Sequence, residues 1–238
     1  IVVADGVSSA WKKTIFTEIK ARSISQAAYR FLLSKKNLPS IFSQNNINLF
    51  FGRGRHFVTY PTGNEDMINF VFCKREKNHL VNDWKEKVTK QQFFKDFELN
   101  ECLRTCVSNV KTIYRWPIIE SALPSEIHKK NVVLVGDAAH GMLPYLAQGA
   151  NKALEDSWEL ATHINTYPLD LNKSLKKYSE KRIKRIQKLD KVSRLNEKIY
   201  HLEQKVLRAV FLYFLRCMII FAPRSFFKRL DWIYSYKG

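Results

Sequence analysis

The sequence predicts a mixed α/β fold: a strand–turn–helix domain split by an inserted antiparallel sheet and completed by C-terminal helices. Three observations predict it. Two short apolar runs, Ile1–Ala4 and Val132–Val135, each stop at an Asp-Gly or Gly-Asp turn and lead towards a helical pattern. Between them, aromatic and β-branched runs alternate with Gly- and Pro-containing turns. After Pro168, apolar residues recur every third or fourth position, as on a helix face.

Taken in order, Ile1–Ala4 reads as a buried strand stopped by Asp5-Gly6. Ser8 or Ser9 then caps a helix over Ala10–Phe16. Ile24–Leu33 has mixed periodicity, and Leu38–Asn48 reads as a polar loop with strand fragments. Asn48–Phe51, Arg55–Tyr60 and Met67–Cys73 read as a three-stranded meander, separated by Gly52-Arg53-Gly54 and by Pro61-Thr62-Gly63-Asn64. Asp83–Val88 is charged and irregular, whereas Thr89–Asn100 and Glu101–Val110 are helical. Thr112–Ile119 is strand-like, and Pro117 predicts an edge or terminal position for it.

Val132–Val135 is the second buried strand. Gly136-Asp137 ends it, a loop with Pro144 and Gln148-Gly149 follows, and a helix begins near Asn151. Strand, acidic turn, Gly-containing loop and helix N-terminus together suit an anionic or phosphorylated cofactor. Leu169–Arg208 reads as one long amphipathic helix. Val206–Ala222 is very apolar but carries Arg208 and Arg216, and its expected place is a buried helix, with a membrane-surface or docking helix as the alternative. Pro223 stops it, and the aromatic tail Leu230–Tyr236 is expected to pack.

With 238 residues, 45% hydrophobic and 13% aromatic, the chain can bury a sizeable core and is not of disordered type. No apolar run reaches the roughly 18 residues of a membrane span, and no secretory signal is present. The net charge of +18 raises nucleic acid as a partner, but no nucleic-acid motif accompanies it. Lys, Asn and Ile are abundant throughout, so the charge reads as compositional bias on solvated faces. Cys73, Cys102, Cys106 and Cys217 form no CxxC pair and lack a His at ligand spacing, so they read as reduced core cysteines of a cytoplasmic protein, with no metal site. The chain opens on Ile1 inside a strand, which suggests a fragment.

At Gly136-Asp137-Ala138-Ala139-His140, followed by Pro144–Ala161, the sequence resembles the second FAD-binding motif of the flavoprotein aromatic hydroxylases. These have the para-hydroxybenzoate hydroxylase fold, and the resemblance is to the salicylate and hydroxybenzoate hydroxylase branch. Val3–Ser9 resembles the DG motif of that family, with Val3 where Gly is frequent. Tyr29-Arg30 resembles its YR pair, and Phe51–Pro61 its WxGPxxHxVxYP strand, with Asn69 where the sheet continues. Tyr178–Arg182 and Arg194–His201 resemble its YxxxR and RNxxxxH helix signatures, with Asn196 displaced by one. Leu230–Tyr236 is similar to its DWLYGY ending. Two departures stand out: Gly141 replaces the frequent Pro of GDAAHP, and no GxGxxG strand–turn–helix is present.

The resemblance implies a Rossmann-like FAD domain lacking its GxGxxG unit, over residues 1–23 and 121–168, a substrate-binding sheet domain over 24–120, and a helical region over 169–238. It implies cofactor contacts from Asp5, Gly136, Asp137, Pro144, Gly149, Ala150 and Asn151. Asp137 would accept hydrogen bonds from a ribitol or ribose hydroxyl, and the N–H groups of Gly149–Asn151 would face the pyrimidine edge of the flavin. His140 is expected to be structural, and Asp156 to organise its helix. His56 and Tyr60 lie four apart in one strand and face the same way, and His56 is the implied acid/base for a phenol.

The implied activity is NADH- or NADPH-dependent hydroxylation of a small aromatic substrate by molecular oxygen through a flavin C4a-hydroperoxide. The chain as it stands is expected to bind FAD poorly and to be inactive alone. The alternatives are a non-catalytic remnant or subunit that binds a partner or membrane, and a hydroxylase of a quinone precursor or other lipid. Homodimerisation and peripheral membrane contact through the C-terminal helix stay open.

Overall fold

The computed structural model describes residues 1–43, 45–63, 66–76 and 85–237. From the N-terminus the elements are β1 (Val2–Val3), α1 (Ala10–Thr14), β2 (Ala21–Ser34), a 3-10 turn (Lys35–Asn37), α2 (Ser40–Ser43), β3 (Asn48–Gly52), β4 (Arg55–Pro61), β5 (Met67–Arg75) and β6 (Glu86–Val88). There follow α3 (Lys90–Asp96), α4 (Glu101–Ser108), β7 (Ile113–Ser121), β8 (His128–Lys129), β9 (Val132–Leu134), α5 (Asp137–His140), α6 (Gly149–Thr166), α7 (Leu171–Tyr200), α8 (Lys205–Phe221), α9 (Pro223–Lys228) and α10 (Asp231–Tyr234). They form two compact units: Ile1–Arg22 with Ile119–Ile199 and Val206–Gly238, and Ser23–Ile118 with Tyr200–Lys205.

The first unit is built on a three-stranded sheet in the order β1-β9-β8. β1 runs parallel to β9, with Val2 opposite Val133 and Val3 opposite Leu134. Continuous apolar runs suit strands covered on both faces, and Val3, Val133 and Leu134 are buried with Phe16, Leu160, Leu175 and Tyr178. Both strands end where the candidate cofactor turns begin. α1 starts at Ser9, whose hydroxyl accepts the Lys12 N–H.

The second unit is a six-stranded sheet in the order β3-β4-β5-β2-β7-β6. The expected meander is present: β3 pairs antiparallel with β4, and β4 with β5. One face carries Tyr29, Phe31, Phe57, Phe70 and Phe72 against Phe93 and Phe97 of the α3 region and Leu103, Cys106 and Val107 of α4. Edge-to-face contacts such as Phe72–Phe93, with centroids 5.2 Å apart, knit the two layers. The pairing Tyr60↔Asn69 and His56↔Cys73 puts these residues on the opposite face. α3 opens with a capping box between Thr89 and Gln92, and α4 with Asn100 as N-cap.

Several elements differ from expectation. The mixed run Ile24–Leu33 is the 14-residue strand β2. Apolar Ala28 and Leu32 on its second face blur the alternation. The polar stretch 38–48 contains α2 rather than strand fragments. Glu86–Val88 forms β6, while Asp83 and Asn64 lie outside the described residues. β7 is not an edge strand, because β6 pairs with it, but that pairing covers only Ile113–Arg115, so Pro117 falls beyond it.

The long C-terminal helix ends at Tyr200, and α8 starts anew at Lys205. α8 has no buried residue, which overturns the expectation of a buried helix. Cys102 is exposed, whereas Cys73 and Cys106 are buried, so the core reading fails for Cys102. Gly52-Arg53-Gly54 is the β3–β4 hairpin turn, with Gly54 at φ +62°.

Candidate functional site

The Val132–Ala161 segment folds around one buried carboxylate. Asp156 Oδ2 on α6 accepts the Gly136 backbone N–H at 2.7 Å and lies 2.7 Å from His140 Nε2. Its Oδ1 accepts Arg182 Nε of α7 at 2.6 Å. Asp156 and Arg182 are both fully buried. Burial alone would raise the Asp156 carboxyl. The His140 hydrogen bond, the His140 and Arg182 charges and the Gly136 N–H outweigh it and hold the group below its ordinary value. Asp156 therefore organises its helix, and His140 is a structural partner. Among the described residues no cluster of three or more His, Cys, Asp or Glu side chains could hold a metal.

Gly136 is required at this turn. It has φ +59°, and a Cβ there would stand 3.3 Å from Ala153 Cβ. Gly141 has a different reason. A Cβ would lie 2.7 Å from Val7 Cγ2 and 3.1 Å from Ser121 Oγ. The departure from GDAAHP is thus a close-packing position, where the Gly141 carbonyl also accepts the Ser121 N–H at 2.7 Å.

Two lysines that look like ordinary surface charge in the sequence are buried beside Asp137. Lys12 Nζ donates to Ser121 Oγ at 2.9 Å and to the Asp137 carbonyl at 3.3 Å. Lys152 Nζ donates to the His140 carbonyl at 3.0 Å and lies 3.8 Å from Asp137 Oδ1. Burial pushes both ammonium groups down, against the pull of neighbouring carboxylates. The Asp137 side chain itself is about half exposed, at 53%. Lys152 lies in the first turn of α6, so it brings that turn within reach of the Asp137 carboxylate.

Gly149, Ala150 and Asn151 are exposed at the start of α6. The first hydrogen bond closing this helix runs from Lys152 N–H to the Gln148 carbonyl, so the three N–H groups before it have no intrahelical acceptor. A Cβ on Gly149 would meet nothing within 4 Å, so space lies open in front of the turn. The loop leading into it is held from α7: Ser193 Oγ donates to the Leu143 carbonyl at 2.8 Å and Asn196 Nδ2 to the Tyr145 carbonyl at 2.9 Å. Pro144 is exposed between these anchors, and Ala147 takes φ +52°. Donors at a helix N-terminus, open space and an accessible carboxylate fit the acceptor-rich ring edge and hydroxylated chain of a flavin.

The remaining predicted residues are placed as follows. Asp5 Oδ2 accepts the Ala10 N–H at 3.0 Å, so it fixes the turn between β1 and α1. The family signature Tyr178–Arg182 is structural: Tyr178 OH donates to the Leu134 carbonyl at 3.1 Å, and Arg182 serves Asp156. The aromatic tail packs through buried Ile233, and Arg185 donates to the Trp232 and Ile233 carbonyls at 2.5 and 2.9 Å. In the second unit, His56 is buried against His201 and Tyr200, with ring centroids 5.0 Å away in each case. Burial, helped by His201, pushes its imidazole down to about 3. His56 is thus a neutral ring at pH 7 and a weak base. Tyr60 is half-buried on the same face.

Sequence reasoning missed Lys12, Lys152, Ser193 and the link from Arg182 to Asp156. Lys152, Asp156 and Arg182 carried a signal, standing in the Pro144–Ala161 and Tyr178–Arg182 segments of the resemblance, whereas Lys12 and Ser193 carried none.

The sequence pattern of the family described as "FAD binding domain" matches residues 1–193. Among curated proteins, the chain is 26% identical over 203 residues to 3-amino-4-hydroxybenzoate 2-monooxygenase PtnB3 of Streptomyces platensis, covering 85% of this chain and 51% of the relative. It is 28% identical over 240 residues to 3-hydroxybenzoate 6-hydroxylase of Polaromonas naphthalenivorans (strain CJ2), covering 99% and 58%. The chain thus spans little more than half the length of these relatives. Among solved structures, a salicylate hydroxylase substrate complex superposes with a TM-score of 0.79 at 21% identity, covering 99% of this chain and 61% of that one. Klebsiella pneumoniae HpxO complexed with FAD and uric acid gives 0.75 at 20% identity, covering 90% and 55%. These two likenesses speak for the fold. With the glycine-bounded turn, the α6 N-terminus and the family pattern all in one segment, the chain belongs to the family described as "FAD binding domain".

Proposed function

We propose that this chain supplies the flavin-side and substrate-side parts of an FAD-dependent monooxygenase that hydroxylates a salicylate- or hydroxybenzoate-like ring, with NADH or NADPH as reductant and molecular oxygen as co-substrate. The observation that carries the reading is the exposed first turn of α6, with three N–H groups that have no intrahelical acceptor and open space at Gly149, near the half-exposed Asp137. The names of the matched relatives, hydroxybenzoate monooxygenases and hydroxylases, support the substrate class.

FAD, when bound, would supply the redox chemistry between the nicotinamide and oxygen. The protein's part is placement and electrostatics. The N–H groups of Gly149, Ala150 and Asn151 would donate to the ring's acceptor edge, where the α6 dipole favours negative charge. Asp137 accepts from a hydroxyl of the cofactor chain. Pro144, exposed on a loop held by Ser193 and Asn196, would face the ring, and Gly136, whose added Cβ would stand 3.3 Å from Ala153, would let the turn approach it. Asp5 acts by fixing the β1–α1 turn.

His56 and Tyr60 form part of the substrate-facing side of the sheet, with Asn69 opposite Tyr60. The neutral His56 ring accepts a hydrogen bond from the phenol hydroxyl, and Tyr60 donates one to a substrate oxygen. Drawing a full proton from the phenol requires His56 to regain solvent or a nearby anion, because its depressed basicity opposes the transfer.

The test is NADH and NADPH oxidation, with FAD bound, by a protein that joins this chain to a GxGxxG strand–turn–helix unit, across a panel of hydroxybenzoates, with product masses read after reaction in 18O2. Stimulated oxidation with one labelled oxygen in the product is expected. Flavin fluorescence gives an independent readout, and Gly149→Val should weaken FAD binding at least tenfold. No stimulation by any phenolic acid, with FAD bound, would remove the substrate assignment and leave the cofactor assignment standing.

A further inference from the structure

The outward face of α8 is built in reverse of an ordinary surface helix. Val206, Val210, Tyr213 and Ile220 recur at helical spacing and are 73%, 60%, 72% and 57% exposed. Leu207, Phe214 and Phe221 extend the same arc, and all three are exposed. The half-buried positions Phe211, Leu215, Met218 and Ala222 recur on the other side. Lys205 and Arg216 lie along one border of the arc by the same spacing, and α9 adds exposed Arg224, Phe227 and Lys228. Large contiguous apolar surface of this kind marks an interaction site rather than ordinary exposure.

Charge selects the occupant. Residues 205–230 contain six Lys or Arg and no Asp or Glu. Across a two-fold axis, a second copy of this helix would set cations against cations with no acidic partner on either side. An anionic lipid surface offers the missing complement, and aromatic side chains beside Lys and Arg suit the headgroup boundary. Among the described residues no helix is long and apolar enough to cross a membrane, and α8 has 17 residues, so the geometry is that of a helix lying in the interface plane.

We propose that the α8–α9 segment docks this protein onto an anionic bilayer surface, with Val206, Val210, Tyr213, Phe214, Ile220 and Phe221 inserted among the acyl chains and Arg216, Arg224 and Lys228 at the headgroups. This stands apart from the flavin reading, since no residue of the docking face belongs to the cofactor site.

The experiment is co-sedimentation of the 238-residue chain with vesicles of phosphatidylcholine alone and with about one-third phosphatidylglycerol, at low and high salt. Expected is at least tenfold stronger partitioning onto the anionic vesicles, weakened by salt. Val210→Glu with Phe214→Glu should lower it at least tenfold with unchanged circular dichroism, because neither side chain is buried. Trp158→Glu, an exposed apolar change on α6, should leave it unchanged. Equal partitioning onto both vesicle types, or no loss in the double variant, overturns the proposal. So does a dimer in light scattering that the double variant converts to monomer while vesicle binding is absent throughout, since that assigns the face to a second copy.

Discussion

The backbone N–H of Gly136 donates a 2.7 Å hydrogen bond to the side chain of Asp156, twenty residues further along the chain. That contact ties the turn after β9 to the second turn of α6, and so couples the two parts of the proposed flavin site. The same carboxylate takes His140 and Arg182, which adds α5 and α7 to the connection. The buried ion pair supplies specificity of arrangement here, because breaking one partner leaves the other charge stranded.

Asp156→Asn keeps the shape of the side chain and removes its charge. The expected cost is about 3–5 kcal/mol in urea-induced unfolding, the range for stranding a buried partner. The exposed pair Lys129–Glu18, with nitrogen and oxygen 3.1 Å apart, provides the control. Glu18→Gln should cost at most about 1 kcal/mol. Equal effects of the two substitutions would show that Asp156 does not hold these elements together.

Acid should unfold the protein in two overlapping stages. The carboxyls of Asp156 and Glu155 are lower in the folded state than their ordinary values of 3.8 and 4.5. Their contribution is present above those values and disappears as pH falls through the folded ones. His56 acts higher up. Its imidazole is depressed from 6.5 to about 3, so the unfolded chain takes up a proton that the folded chain refuses between those limits. Stability is therefore lost as pH falls from about 6.5. Burial depresses His128 and His163 as well, in the same sense. His56→Gln should reduce the slope of stability against pH between 6 and 4 by up to about 1.4 kcal/mol per pH unit, without abolishing it. An unchanged slope would mean that His56 titrates alike in both states.

Gly141→Ala tests the close approach of the β1–α1 turn to the loop after α5. The added methyl would press on Val7 Cγ2 at 2.7 Å. A loss of about 1–3 kcal/mol is expected, the usual cost of overpacking. Val7→Ala removes that methyl, so the double variant should recover most of the loss in thermal unfolding. Absence of recovery would place the strain at Ser121 instead, whose Oγ lies 3.1 Å from the same Cβ position.

What the sequence disclosed and what it hid follow from the range of the forces involved. β3, β4 and β5 were legible because glycine and proline punctuate them locally and their aromatic residues alternate. The Gly136-Asp137 turn and the α6 N-terminus were legible for the same reason, as a compact run of residues. β2 was obscured because Ala28 and Leu32 are apolar on the face away from the helices. The end of α7 at Tyr200 was hidden because an unbroken 3.6-residue pattern crosses it. The Asp156 hub joins residues 16 to 26 positions apart, and no local pattern marks such a convergence. Lys12 and Lys152 were hidden by identity, since lysine is almost never fully buried unless its ammonium is satisfied. α8 was misread because its apolarity matches a core helix, and only the surface it faces tells the two apart.

The loop that carries Pro144 and leads to Gly149 is stabilised from behind by two α7 side chains, and this separates cofactor grip from global stability. Ser193 Oγ and Asn196 Nδ2 each hold one loop carbonyl, at 2.8 and 2.9 Å. Neither residue reaches the open space before α6 in any described hydrogen bond, so both act by positioning. Removing a single such bond costs about 0.5–1.5 kcal/mol of folding stability. Its effect on FAD should be larger in proportion, because the three N–H donors of the α6 turn lose their fixed relation to Asp137. Asn196→Ala with Ser193→Ala is therefore expected to lower the melting temperature by only a few degrees. The same variant should weaken FAD binding about tenfold in a flavin-fluorescence titration. Asn196→Asp retains an acceptor but not the donor, so it should resemble Asn196→Ala, whereas Asn196→Gln should restore part of the affinity. If FAD affinity instead follows melting temperature across all these variants, the loop has no positioning role of its own.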